Sequence, residues 1–335
     1  MNFKQTSTTA FLMALIVQSA QADGDHTEGH ETDITDAVLV NRSADCADYV
    51  GIYSAMAQDL QNGTEFVSSI VITATEDSCT VISNSVPNHA FNDETAAFAG
   101  GTEGATISEV DTISTFARYP EFADTPTAIS QEVKNAIFLN GVRLDIAAAG
   151  CYLPNDPSAG DDGNVGIGCA SDDPWVLDPL GTESKFGADF HNAHTQPGGL
   201  YHYHASPKAL YDDAPGPDGS PVIGFAADGF PVYGPYFVDP ETSEHRPAVS
   251  GYTLKEGVRG ERTDTNPGGA YTGEYNDDWE FTDAGDLDEC NGMMVNGQYG
   301  YYVTDSYPWV IKCLSGTPDE SFVVQGRGGP PPRDD

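Results

Sequence analysis

Apolar residues in this chain come in short runs, and none sustains the 3.6-residue period of a helix. Phe66 to Thr75 (FVSSIVITAT) and Cys79 to Ser83 read as two strands across a turn at Glu76-Asp77-Ser78. Asn135 to Ile146 (NAIFLNGVRLDI) predicts a hairpin, because Asn140-Gly141 suits a tight two-residue turn. Val222 to Gly234 (VIGFAADGFPVYG) predicts two short strands across Ala227-Asp228-Gly229. Gly199 to His204 (GLYHYH) alternates strictly. In an extended strand Tyr201 and Tyr203 share one face, and His202 and His204 share the other. A looser echo, Gln298 to Thr304, predicts a second aromatic strand lying beside the first, with its tyrosines in the core.

Between these runs the chain is poor in pattern. Residues 92–132 are rich in Ala, Thr, Gly and Glu, and residues 239–280 in Gly, Pro and acids. With 36 glycines and 22 prolines, long helices are not expected. The fold class expected is all-β or β-dominated: a single domain of short strands and long Gly/Pro/acid-rich loops, with a sandwich as one arrangement, stapled by disulfides. That domain is placed at residues 45–325. Residues 326–335 (GRGGPPPRDD) form a disordered tail.

The N-terminus has its own pattern. Lys4 precedes the apolar run Phe11 to Val17, and Ala20-Gln21-Ala22 offers a small-x-small cleavage site. This reads as a signal peptide over residues 1–22. The run is too short to span a bilayer, and no later segment is apolar enough to try. Residues 23–44, with His26 and His30, read as a flexible acidic leader. The expected location is the periplasm or outside the cell.

Six cysteines fit that location: Cys46, Cys79, Cys151, Cys169, Cys290 and Cys313. Six allow 15 connectivities, and nearest neighbours are the expected pairs. No CxxC occurs, which argues against a thiol metal site.

The charge changes the list of partners. The chain carries 14 Lys plus Arg against 52 Asp plus Glu, a net of −38, and −39 once Lys4 leaves with residues 1–22. Such a chain does not attract nucleic acid or an anionic membrane. The acids are dispersed, as on a solvated surface suited to salty water, and no EF-hand loop is present. No GxSxG elbow, GxGxxG or Walker loop is present either.

The candidate chemistry lies in Asp189 to His204 (DFHNAHTQPGGLYHYH), which holds His191, His194, His202 and His204, half of the eight histidines. Imidazoles at i and i+2 on a strand can converge on one ion, and a turn at Pro197-Gly198-Gly199 could bring His191 and His194 back to them. Imidazole suits copper, zinc, iron or nickel. The plainer reading is an ordinary half-buried Tyr-His strand, with Asp228 a turn residue.

These residues carry a resemblance. The chain resembles the YHYH-domain proteins, named for Tyr201-His202-Tyr203-His204. The likeness includes Ser83-Asn84, Pro87-Asn88-His89, Asn140-Gly141-Val142 and Asn192-Ala193-His194. It continues through Ala227 to Gly234, Leu287 to Gly292, Thr304 to Pro308, Cys313 and Gly316-Thr317-Pro318. It implies an exported protein with a histidine-centred site and brings no established reaction. His89, His194, His202, His204 and Asp228 fall on motif positions. His191 stands where the family more often has Asn, and Tyr301-Tyr302 lacks the histidine of a second Tyr-His-Tyr.

Three functions follow. The first is an exported metal-binding protein using His194, His202 and His204, with His89, His191 or Asp228 at the rim, for copper or zinc. The second is a metal-dependent hydrolase or oxidoreductase with the same ligands and Asp228 as general base. The third is a cell-surface or adhesive protein in which the Tyr-His strand is a sheet edge. The substrate of any reaction is not written in the residues.

Overall fold

A computed structural model describes residues 30–93, 107–181, 187–196, 198–212 and 216–324. The chain divides into two units, Met1–His30 and Glu31–Asp335, and of the first only His30 is described. The expected signal peptide and the C-terminal tail lie outside the described residues.

The β-dominated expectation holds. Among the described residues the helix consists of three 3-10 segments, Cys46–Tyr49, Asn276–Asp278 and Glu320–Phe322. A first sheet joins, in order, Glu31–Asp33 (β1), Gly51–Asp59 (β2), Thr64–Ala74 (β3), Ser78–Ser83 (β4) and Thr112–Ala117 (β5). Its long strands alternate as the sequence predicts. Ser68, Ile70 and Ile72 of β3 are buried, as are Cys79, Val81 and Ser83 of β4. Part of the expected flexible leader is built into this sheet. Strand β1 pairs in parallel with β2, Ile34 is buried, and Asn88 Nδ2 donates to the carbonyls of Ile34 and Ala37. Backbone pairing holds β1, whose own side chains are exposed, so no apolar pattern announced it.

The remaining strands are Phe122–Ala128 (β6), Ala136–Phe138 (β7), Arg143–Leu144 (β8), Cys151–Tyr152 (β9), Asn164–Val165 (β10), Ala193–Thr195 (β11), Tyr201–Tyr203 (β12), Val222–Ala226 (β13) and Pro231–Tyr233 (β14). They continue with Tyr236–Val238 (β15), His245–Pro247 (β16), Tyr252–Leu254 (β17), Trp279–Phe281 (β18), Gly292–Val295 (β19), Gln298–Tyr302 (β20) and Cys313–Gly316 (β21). Eight of them form a second, mixed sheet in the order β11-β12-β8-β7-β13-β14-β20-β19. The hairpins read from Asn140-Gly141 and Asp228-Gly229 are β7–β8 and β13–β14, with Gly141 and Gly229 at φ 80° and 90°. The two aromatic strands, however, do not lie side by side. Strands β8, β7, β13 and β14 separate β20 from β12.

The sheets share one core and close no barrel. Phe116 of β5 stacks on Phe225 of β13 at 5.0 Å between centroids, and Tyr49 meets the same ring edge-on. Disulfides join Cys46 to Cys79, Cys151 to Cys169 and Cys290 to Cys313, the nearest-neighbour pairs. Among the described residues no helix is long and apolar enough to cross a membrane.

Candidate metal centre

Strand β12 is an interior strand, flanked by β11 and β8, so the sheet-edge reading does not describe it. It forms an antiparallel hairpin with β11 in which His194 stands directly opposite His202. Gly198 and Gly199, at φ 102° and 87°, make the turn; Pro197 lies outside the described residues. A Cβ at Gly199 would collide with Ser108, whose N–H donates to the Gly199 carbonyl.

Alternation then does the rest. His202 and His204 leave the same side of the strand and meet His194 there. The Nε2 atoms of His202 and His204 are 3.0 Å apart, and those of His204 and His194 also 3.0 Å. All three rings are buried. The Gly187 carbonyl lies 2.8 Å from His194 Nδ1 and can only accept, so that ring's proton sits on Nδ1 and its Nε2 lone pair points into the cluster. His202 Nδ1 lies 3.4 Å from the Leu200 carbonyl.

A neutral imidazole nitrogen has one in-plane position, taken by a proton or a lone pair. His204 Nε2 has two short nitrogen neighbours, and one proton can serve only one of them. The other contact is left without a hydrogen bond of its own. Protonating the rings would need buried charge, and burial, followed by the neighbouring His194 and His202, holds His204 well below the usual histidine range. A single cation taking all three lone pairs removes the conflict. The donor set therefore fits a transition-metal ion.

The other face of β12 does different work. The Tyr201 hydroxyl donates to Asp189 Oδ2 at 2.7 Å. His89 Nδ1 donates to the Ala90 carbonyl at 2.8 Å, which leaves its Nε2 to accept from the Tyr203 hydroxyl at 2.6 Å. Asn140 Nδ2 donates to that same hydroxyl at 3.0 Å. The His191 ring lies 4.1 Å from that of His89. Burial, then the charge of His191, pushes His89 down to about 3. His89 and His191 thus pair with each other behind the strand, and the expectation that they join the other three histidines is corrected. Residue period decides it: Tyr203, which holds His89, is one position from His202 and so faces the opposite way.

Asp228 is corrected in the same way. Its turn follows β13, and β8 and β7 lie between that strand and β12. Its Oδ2 accepts from the Tyr301 hydroxyl at 2.6 Å and from Gly316 N–H at 2.9 Å. Burial raises it above the usual carboxylate range. It locks β20 and β21 to the β13–β14 turn instead of serving the histidines.

The sequence reading missed Asp145 and Lys134, a buried ion pair at the end of β8. Their signal, an acid two positions after Arg143 and a lysine eleven before that acid, carries no local pattern.

Among known proteins, the family model described as YHYH protein matches residues 114–316, a span that begins within β5 and ends with β21. His89 lies outside it. No curated protein matches the chain, and no solved structure does.

Proposed function

Because the chain belongs to the YHYH protein family, whose name spells strand β12 and the residue after it, we propose that it is an exported metal-binding protein with its ion on the histidine face of that strand. One observation carries the reading: three buried imidazoles, each offering a ring nitrogen within 4.8 Å of the others, gathered by the β11–β12 hairpin and the residue that follows it. Copper and zinc both suit the ligands. Tyrosine ligation adds nothing toward copper, since Tyr201 and Tyr203 are engaged on the opposite face. Three disulfides and the N-terminal pattern support a location outside the reducing cytosol.

A metal-dependent enzyme would need the same ligands plus a base. Asp228, the base the sequence offered, is held by Tyr301 and Gly316, so binding is the reading favoured over catalysis.

The test is direct. Protein purified without a histidine tag should contain close to one equivalent of copper or zinc by elemental analysis. In calorimetric titration, His202→Ala with His204→Ala should abolish tight binding of Zn²⁺ and Cu²⁺ while far-UV circular dichroism stays that of wild type. A folded double variant that binds both ions as tightly as wild type would place the ion elsewhere.

A further inference from the structure

The histidine cluster has a charged neighbour with unfinished hydrogen bonding. Strand β8 runs parallel to β12, with Arg143 beside His202 and Leu144 beside Tyr203. The ladder continues one step, for Asp145 N–H donates to the Tyr203 carbonyl at 2.9 Å. Asp145 therefore stands beside His204. Since faces alternate along a strand, its side chain leaves on the side of His202 and His204.

The Asp145 side chain is buried, at 9% exposure. Its Oδ2 is held by Lys134 Nζ, itself only 5% exposed. Its Oδ1 is buried and meets no hydrogen-bond donor. A buried carboxylate oxygen left without a donor is costly, and native proteins seldom keep one without a use. Two further facts bear on the use. The charges of Asp145 and Lys134 both act on the His204 ring, with opposite signs. And histidines that bind metals commonly give their second ring N–H to a carboxylate, which fixes the tautomer and makes the ring a better donor.

We infer that Asp145 is the carboxylate partner of the metal centre: its unengaged Oδ1 takes the second ring proton of His204 when that ring's Nε2 is on the ion, while Lys134 holds Oδ2 and offsets the carboxylate's charge. The inference rests on the proposed metal site. It makes Asp145 and Lys134 positioning residues that act on the ion in opposite directions. Asp145 raises affinity by orienting His204 and supplying negative charge. Lys134 lowers it by supplying positive charge in the same buried volume.

The experiment uses the full mature chain, stripped of metal, titrated with Zn²⁺ and with Cu²⁺ by calorimetry. Wild type, Asp145→Asn, Lys134→Met and the double variant are compared, and metal-free unfolding midpoints are measured for all four. Each single variant leaves one buried group of the pair unmatched, so both should be less stable without metal. Their affinities should nevertheless split. Asp145→Asn should bind about 10–100-fold more weakly than wild type, and Lys134→Met more tightly. The double variant, which leaves no orphaned charge to unfold it, should bind with an affinity between those of the two single variants. A pair that is only structural would move affinity in step with stability, the same way in both single variants, and that result overturns the inference. So does wild-type affinity in Asp145→Asn. If wild type binds neither ion, the metal reading itself fails and takes this inference with it.

Discussion

His89 and Asp178 show how single buried groups set the response of this fold to pH. His89 is pushed down to about 3 in the fold, against about 6.5 in an open chain. The unfolded state therefore takes a proton that the folded state refuses. Stability from this group is complete above pH ~6.5 and falls as pH drops toward 3, by at most about 1.4 kcal/mol per unit. Asp178, which accepts from Trp309 Nε1, is raised by burial to about 6. Its sign is opposite: the fold holds its proton longer than the open chain does, so its contribution falls as pH rises from ~3.8 to 6. The two oppose each other between pH 4 and 6, and single variants separate them. His89→Gln should flatten the acid limb of a urea-denaturation pH series. Asp178→Asn, which keeps an acceptor for Trp309, should be more stable than wild type at pH 8 and lose that advantage at pH 4. At the same scale, Tyr203→Phe leaves His89 Nε2 buried without its donor and should cost about 1–3 kcal/mol by equilibrium unfolding. A change below 0.5 kcal/mol would mean water replaces the hydroxyl.

Among the elements, what could be read in advance was local. Strands β3 and β4, β7 and β8, and β13 and β14 are hairpins whose turns are written in two or three residues, Asn140-Gly141 and Asp228-Gly229 among them. The two faces of β12 were legible because period two is a property of the strand alone. The neighbours of β12 were not. That β8 would lie parallel to it, and bring Asp145 beside His204, depends on a pairing across nearly sixty residues that no local pattern encodes. The same blindness placed β20 beside β12, put His89 and His191 with the wrong face, and gave Asp228 to the wrong site. The β7–β8 turn is the sharpest test of this level. Gly141 has φ 80°, and a Cβ there would meet Ser83 and Ile70 of the first sheet within 3 Å. Gly141→Ala should destabilise by more than about 1 kcal/mol, since strain and collision act together. Because β8 carries Arg143 and leads directly into Asp145, the variant should weaken Zn²⁺ binding as well.

Taken whole, the molecule holds together against its own charge. A net of −38 on 335 residues means that folding brings like charges closer, and salt relieves this. The melting temperature should rise from low to moderate NaCl; a flat curve would show the acids already neutralised locally. Cross-links supply part of the resistance. The Cys151–Cys169 bridge closes 18 residues around the small second core of Tyr152, Val165 and Tyr275, and loop closure of that size is worth about 3 kcal/mol. Reduction should therefore loosen this region first, read as earlier hydrogen exchange at Tyr152 and Val165 than at Ile70.

The two faces of strand β12 also say how such sequences should diverge. Tyr201 and Tyr203 answer to Asp189, His89 and Asn140; His202 and His204 answer to His194 and, on the proposed function, to a shared ion. The four letters are then two interleaved words under separate selection. A descendant that abandons the metal is free to lose both histidines, and His194 with them, while still spelling the tyrosines. One that rebuilds the loop around His89 must respell the tyrosines and can leave the histidines alone. Substitutions across the family should therefore travel in alternate positions, and a chain reading Tyr-x-Tyr-x would, on the proposed function, have given up the ion.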